Sequence, residues 1–487
     1  MIQSKAIDIL RSLSRKEFLQ FGRQVESASQ GSNKNLFKLY KFLKKYYPAF
    51  DSDKLTKENL HKAVYGNARY SDPSTRKLLS EIYKEAEKFI VIQNVFASKT
   101  IYDKVLLSEF DTRKLDNLFL SRYEELNNYL DSGEKHYEYF LDKFLTEWVH
   151  IAFHHERGQQ HKIAMNIYKR TEYLIFLFLS DLFLSLNDIQ SNKIAYNISS
   201  DINLAQAFIE SFDDKKFFEY IEKNRFENKD VLYIYYLGYL ALKNFENEEY
   251  YYKLRDFAFK NIDKFHEASQ KATVIFLANY CTRKLKKQDS EKFRLELNRN
   301  YNLYIKYKLY KMTGENYIRS DLFLNILTNY FDVGKTKEVV RFLKDNIENI
   351  QPSHRKNMLA VSNALIEFEN GNYGESLRNA SMIKSNTFLY KDKIKILTLK
   401  NNYELKNFEI AKELSNSYRI FLTENRNIPD LQKEKSLKFL GYYNSLWKIY
   451  DGKPGKINIK DMKDEISKDP NFTESVWILE KVKELIN

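Results

Sequence analysis

Turn-forming residues are scarce in this chain. Its 487 residues include only 13 Gly and six Pro, and no Pro lies between Pro73 and Pro352. Parallel α/β folds and antiparallel sandwiches need frequent Gly and Pro punctuation, so a chain this poor in both is predicted to fold into long helices. Hydrophobic residues make up 43% and charged residues 30%, enough for a large core and too apolar for wholesale disorder. The 36 Tyr and 35 Phe imply a core built with rings, many carrying a hydroxyl that reaches toward the surface.

Residues 1–95 read as a compact helical unit. Phe18, Phe21 and Val25 share one helical face, and Ser14 stands three residues before Glu17, the spacing of a capping box. Leu36, Leu39, Tyr40, Leu43 and Tyr47 form a second stripe that Pro48 ends. A third helix is predicted from about Thr56 to Gly66. A fourth starts at a Ser71 or Asp72 cap, with Pro73 in its first turn. From about 100 to 325 the pattern stays helical, with turns expected at Asn187, Asp213-Asp214, Asn244 and Gly314. The run "YIKYKLYK" (304–311) alternates like a strand. However, Phe293, Leu297, Tyr301, Tyr304 and Ile305 carry a helical stripe into it, so helix is favoured. The most apolar run, "YLIFLFLSDLFLSL" (173–186), is shorter than the ~20 residues of a membrane helix and carries Asp181. It is read as a helix buried in the protein.

Between 320 and 425 a unit recurs: an apolar helix, a short turn, then a second helix with a compact residue near its start. The turns are "DVGKTKEVV", "ENGNYGESL" and "ELKNFEIAK". Gly334 to Gly371 is a step of 37 and Tyr373 to Phe408 a step of 35, and Val339, Ser376 and Ala411 repeat at the same intervals. A period near ~34 residues is the signature of stacked helix–turn–helix repeats. The compact residue lets two antiparallel helices approach near their tight turn.

On these residues the chain resembles tetratricopeptide-type repeats, with a looser echo in "YYLGYLALKNF" (235–245), where Leu237-Gly238 is similar to the family's Leu-Gly pair. The resemblance implies an all-α fold: a right-handed array of antiparallel helix pairs, an α-solenoid, behind an N-terminal helical domain. The division expected is 1–95 for that domain, 96–315 for a helical array with irregular repeats, and 316–487 for tetratricopeptide-like repeats and C-terminal helices. The N-terminal layout also resembles that of uncharacterised helical proteins from Bacteroidetes-type bacteria, a resemblance that carries no function. The repeat resemblance implies a non-enzymatic scaffold or adaptor that binds a peptide or partner helix in a groove lined by first helices. Exposed first-helix residues around Asn325, Asn329, Asn363, Glu367 and Asn402 are the expected partner contacts.

Other chemistries find less support. Gly334-Lys335-Thr336 imitates the end of a phosphate loop, but that loop needs a Gly where Asn329 stands, and a preceding strand where "DLFLNILTNYF" has helical spacing. His150, His154, His155 and His161 cluster, with Glu156 beside them. His150, His154 and Glu156 are candidate metal ligands, and they would serve a metal-dependent enzyme. The His-Glu-x-x-His order is absent, and surface histidines on a polar turn account for the cluster more simply. The single Cys281 leaves no disulfide within one chain and reads as a core residue in a helical stripe. No catalytic residue or cofactor is expected. Residues 55–90 imitate a helix-turn-helix, with Arg69, Arg76 and Lys77 placed for nucleic acid. In that alternative the chain is a regulator whose C-terminal repeats sense a ligand. The long linker 67–72 and the acidic series Glu81, Glu85 and Glu87 oppose it. The net charge of +13 is spread over the whole chain and is a mild bias toward anionic partners. The first residues show no secretion signal, and a reducing, cytoplasmic setting is expected.

Overall fold

The computed structural model describes residues 2, 4–29, 34–133, 137–196, 198–288, 290–310, 317–383, 388–425, 428–450 and 458–486. Among them the fold is all-α, and the one β-bridge joins Ile318 to Ile350. In the first third the helices are α1 (Lys5–Ser12), α2 (Arg15–Ser29), α3 (Lys34–Lys44), α4 (Lys57–Tyr65), α5 (Asp72–Ala97), α6 (Lys99–Thr112), α7 (Asp116–Ser132) and α8 (Tyr137–Glu156). The middle holds α9 (Ala164–Tyr196), α10 (Leu204–Ser211), α11 (Asp214–Lys223), α12 (Lys229–Lys243), α13 (Glu249–Asn261), α14 (Glu267–Lys287) and α15 (Glu291–Lys306). The remainder is α16 (Ser320–Asp332), α17 (Thr336–Asn346), α18 (Pro352–Glu369), α19 (Tyr373–Ser381), α20 (Phe388–Glu404), α21 (Phe408–Glu424), α22 (Asp430–Tyr450), α23 (Ile459–Lys468) and α24 (Ser475–Ile486). The chain divides into two compact units, 1–131 with 145–166, and 132–144 with 167–487.

In the first unit, α1 to α5 enclose a core of Leu, Ile and aromatic residues running from Ile2 to Phe89. Local signals set its helix ends. The Ser14 amide donates to Glu17 Oε2 at 2.7 Å and the Glu17 amide returns to Ser14 Oγ at 3.3 Å, a closed capping box. The Ser14 side chain first, and its backbone amide second, hold the Glu17 carboxyl below its ordinary range. Thr56 caps α4, Gly66 ends it, and Ser71 caps α5 with Pro73 in the first turn. Tyr40 buries its ring and donates its hydroxyl to the Phe18 carbonyl at 3.1 Å, which satisfies the one polar atom it brings inside.

In the second unit, consecutive helices pack as neighbours: α12 on α13, α14 on α15, α16 on α17, α18 on α19 and α20 on α21. First helices also meet directly, α12 with α14, α16 with α18 and α18 with α20. The three turns found in the sequence share one geometry. Gly334, Gly371 and Lys406 take φ of 70°, 77° and 61°. After each, the next amide reaches back to a carbonyl five residues earlier: Lys335 to Tyr330 at 2.8 Å, Asn372 to Glu367 at 2.8 Å and Asn407 to Asn402 at 2.9 Å. This is the left-handed helix ending that glycine adopts at least cost. Val339, Ser376 and Ala411 just beyond are fully buried, as close approach requires. Gly238 plays a similar part on α12, because a Cβ there would sit 2.5 Å from the Phe276 ring of α14.

A second recurrence links more distant parts of the same unit. Helices α13 and α17 both end in Asn, and each Asn side chain bonds back to the carbonyl four residues before, Asn261 to Phe257 at 2.9 Å and Asn346 to Phe342 at 3.1 Å. A single 3-10 turn follows each, with φ near −122° at both Asn.

Three expectations change. Asn187 is no turn: it lies inside α9, because the stripe of Phe176, Leu179, Phe183 and Leu186 runs through it unbroken. Its buried amide instead accepts a 2.8 Å bond from Asn279 of α14. The apolar run 173–186 is buried on one face only, with Leu174, Ile175 and Phe178 exposed. Residues 164–194 are long and apolar enough, by length and composition alone, to cross a membrane, with 39% of the window buried. In 304–311 the helix holds through Lys306, then Lys308 turns the chain with φ 52°. Asp213 caps α11 and Asn244 ends α12 as expected, whereas Gly314 lies outside the described residues.

Candidate functional site

Of the five expected first-helix contacts, Asn325 is exposed and Asn363 and Glu367 are half-buried, whereas Asn329 and Asn402 are buried. The reason lies in the neighbouring pairs. Asn329 accepts from Asn298 at 3.1 Å and donates to the Arg294 carbonyl at 3.1 Å, which ties α16 to α15. Asn402 donates to the Thr398 carbonyl at 2.8 Å, and its own carbonyl closes the turn before α21. Both are structural clamps.

Asn325 leads to a cluster that spacing alone did not reveal. Lys393 of α20 donates to Asn325 Oδ1 and Thr328 Oγ1 of α16, both at 3.3 Å. Next to it, Asp392 accepts the Tyr418 hydroxyl at 2.6 Å, and Lys400, about two turns further along α20, bonds Glu474 at 2.7 Å. Glu474 follows Thr473, whose hydroxyl lies 3.4 Å from Ser436 of α22. Lys435 of α22 then bonds both Asn471 and the Lys286 carbonyl at the end of α14, and Asn471 donates to the Lys287 carbonyl. Lys286 itself donates to the Ile194 carbonyl at 3.3 Å. A polar seam therefore runs from α16 across α20 and α22 to the last turn of α14.

The seam's charges are unevenly matched. Lys400 has its carboxylate, whereas Lys393 and Lys286 rest on neutral oxygens. Burial holds the Lys393 and Lys286 ammonium groups below the usual lysine range, with Lys435 adding to the effect on Lys286. Burial also pushes the Asp392 carboxyl up. One signal for Lys393 was available in the sequence. It lies on the face of Ile396, Lys400 and Tyr403, and no acid stands three or four residues to either side.

The histidine cluster separates. His150 and His154 are buried with Nε2 atoms 3.2 Å apart, whereas His155, His161 and Glu156 are exposed and Glu156 pairs with Lys114 at 2.9 Å. The Nδ1 of His154 lies 2.8 Å from Gln159 Oε1, so the amide oxygen fixes an Nδ1–H tautomer and His150 donates from Nε2. His150 stacks on Tyr123 at 3.9 Å, and the Tyr123 hydroxyl donates to the buried Glu147 at 3.1 Å, which Asn166 bonds at 2.8 Å. Burial first, and His154 second, lower the His150 pKa to about 4, so the ring is neutral at pH 7. Among the described residues no group of three or more His, Cys, Asp and Glu side chains is placed to hold a metal ion. Cys281 is buried against the Tyr251 hydroxyl at 3.3 Å, and burial pushes its thiol up to about 12, unlike a reactive thiol.

In the N-terminal unit, six residues, Gly66–Ser71, separate α4 from α5, and Arg69, Arg76 and Lys77 are exposed. Arg76 already shares Asp72 with Lys57, at 2.7 and 2.9 Å. Beside them lies a cavity of about 320 Å³, lined by Lys5, Lys57, Arg76, Ser80 and Tyr83 among others. Gly334-Lys335-Thr336 follows helix α16, with no strand before it, and is a turn. No protein-family model, curated protein or solved structure matches this chain.

Proposed function

We propose that this chain is a non-enzymatic interaction protein. In this reading the helix pairs from α12 to α22 stack as a tetratricopeptide-like, right-handed array, and the first-helix face holds a peptide or partner helix. The supporting observation is that first helices pack on one another while the same turn recurs at 334, 371 and 406. Units of that kind bury their apolar sides only against neighbours and leave a continuous face of first-helix side chains. The neutral, enclosed Cys281 accords with a reducing, cytoplasmic setting. Panning the full chain against a random peptide library tests the reading. Peptides should enrich, and Asn363→Trp on α18 should weaken them. If nothing enriches above bare support, or that variant has no effect, the reading falls.

A second reading, a nucleic-acid-binding regulator, rests on the basic lining of the 320 Å³ cavity. Retention of the full chain on nucleic acid, lost with rising salt and in Arg76→Glu, would favour it. Absence of retention at low salt would dismiss it.

A further inference from the structure

We infer that the partner of this interaction face is an acidic peptide, received on the seam where, among the described residues, the hydrogen bonds of Lys393 and Lys286 go to neutral oxygens. The inference rests on the interaction-protein reading and adds the partner's chemistry. An ammonium group taken out of bulk water is stabilised by a paired anion or it is costly to keep. Among the described residues, Lys393 bonds the amide oxygen of Asn325 and the hydroxyl of Thr328, each at the long distance of 3.3 Å. Three carboxylates act on it from a distance, Asp332 most strongly and then Asp392 and Glu474, and the last two are engaged by Tyr418 and Lys400. At the other end of the seam, Lys286 has a backbone carbonyl, and its neighbour Lys435 adds a second positive charge. Both residues are half-buried as a whole, with the Lys393 ammonium more enclosed than that of Lys286. Glu or Asp side chains arriving from outside would supply the missing anions in a place where water screens them weakly. Asn325, exposed beside Lys393, adds an amide for the peptide backbone.

The test uses the full chain and fluorescein-labelled deca-glutamate, read by anisotropy at low and raised salt, with deca-glutamine and an oligothymidine of ten nucleotides alongside. Saturable binding of deca-glutamate is expected, absent for deca-glutamine and weakened by salt. Lys393→Met and Lys286→Met should each reduce affinity tenfold or more, and Lys393→Arg should keep most of it. Lys393→Met should also melt at or above the parent temperature, since it removes an unmatched buried charge. A lysine that served only as a bolt between α16 and α20 would instead lower it. The inference is overturned if deca-glutamate fails to bind at low salt, if both Met variants bind as the parent does, or if only the oligothymidine binds. Should Lys393→Met not fold, Lys286→Met alone decides. Library peptides that enrich but lack acidic residues would sink this inference and leave the interaction reading standing.

Discussion

Two polar interiors in this protein are built on opposite terms. In the first unit, Tyr123, Glu147, His150, His154, Gln159 and Asn166 form a buried network of short range, mostly between α7 and α8, around a neutral His150. In the second unit, the seam joins residues as far as 184 positions apart and rests largely desolvated ammonium groups on neutral oxygens. A local network of this kind supports the fold at the cost of pH sensitivity, although the buried His150 Nδ1 has no hydrogen-bond partner among the described residues. An open, unmatched one weakens the fold locally and leaves electrostatic capacity for something else. The proposed binding rests on the second interior, where the charges do not cancel.

Acid should break the first interior before the second. His150 titrates near 6.5 when unfolded and about 4 when folded, so between those values the unfolded chain holds more protons. Stability from this group is complete above pH 6.5 and is lost as pH falls toward 4, by roughly 3 kcal/mol in all. Urea midpoints across that range should show the loss, and His150→Phe should flatten it. A limb that persists in the variant would assign it elsewhere. The carboxyls of Asp72 and Asp116, held below their ordinary range, respond only at lower pH.

The next largest effect contrasts two lysines on one helix. Lys400→Met should destabilise by about 2 kcal/mol, because Glu474 loses its charged partner. Lys393→Met, seven residues away, should do the reverse, by about 1 kcal/mol. Equal signs in thermal melts would erase the distinction between matched and unmatched charge. Tyr123→Phe should cost about 1 kcal/mol in denaturant unfolding by removing one donor from Glu147, a milder check on the local network. The smallest effect belongs to the repeat turns. Lys406→Gly relieves a left-handed residue where the other two turns already carry Gly, and should gain up to about 1 kcal/mol in melting experiments.

The helices and their ends were legible because their causes are local. Ser14 and Glu17, Thr56 and Gly66, Ser71 and Pro73 each act within one turn, and the Gly334 and Gly371 turns mark themselves by residue type. What docks on each face was not legible. Spacing placed Asn329 and Asn402 on first helices, but their neutral amides turned out to tie neighbouring elements together. Asn187 looked like a break and is a clamp, since its partner Asn279 lies 92 residues away. The Asn-ended helices before 262 and 347 repeat visibly as "KNIDKF" and "DNIENI", yet a period of two helix pairs escapes a search tuned to one. Lys393 shows the general limit: a lysine on an apolar face is apparent in sequence, but which acids lie near it depends on residues as distant as Asp332 and Glu474.

The Lys435 and Asn471 bonds to the last carbonyls of α14 bear on how the chain acquires its shape during synthesis. Asn471 follows Lys287 by 184 residues. At usual translation rates that interval takes roughly 10–40 s, during which the end of α14 must stay capped by water or by chance contacts. Lesions in residues 430–475 should therefore be felt in the middle of the unit as well as locally, and a stalled or shortened chain would expose α14 to proteases well before its own sequence was altered.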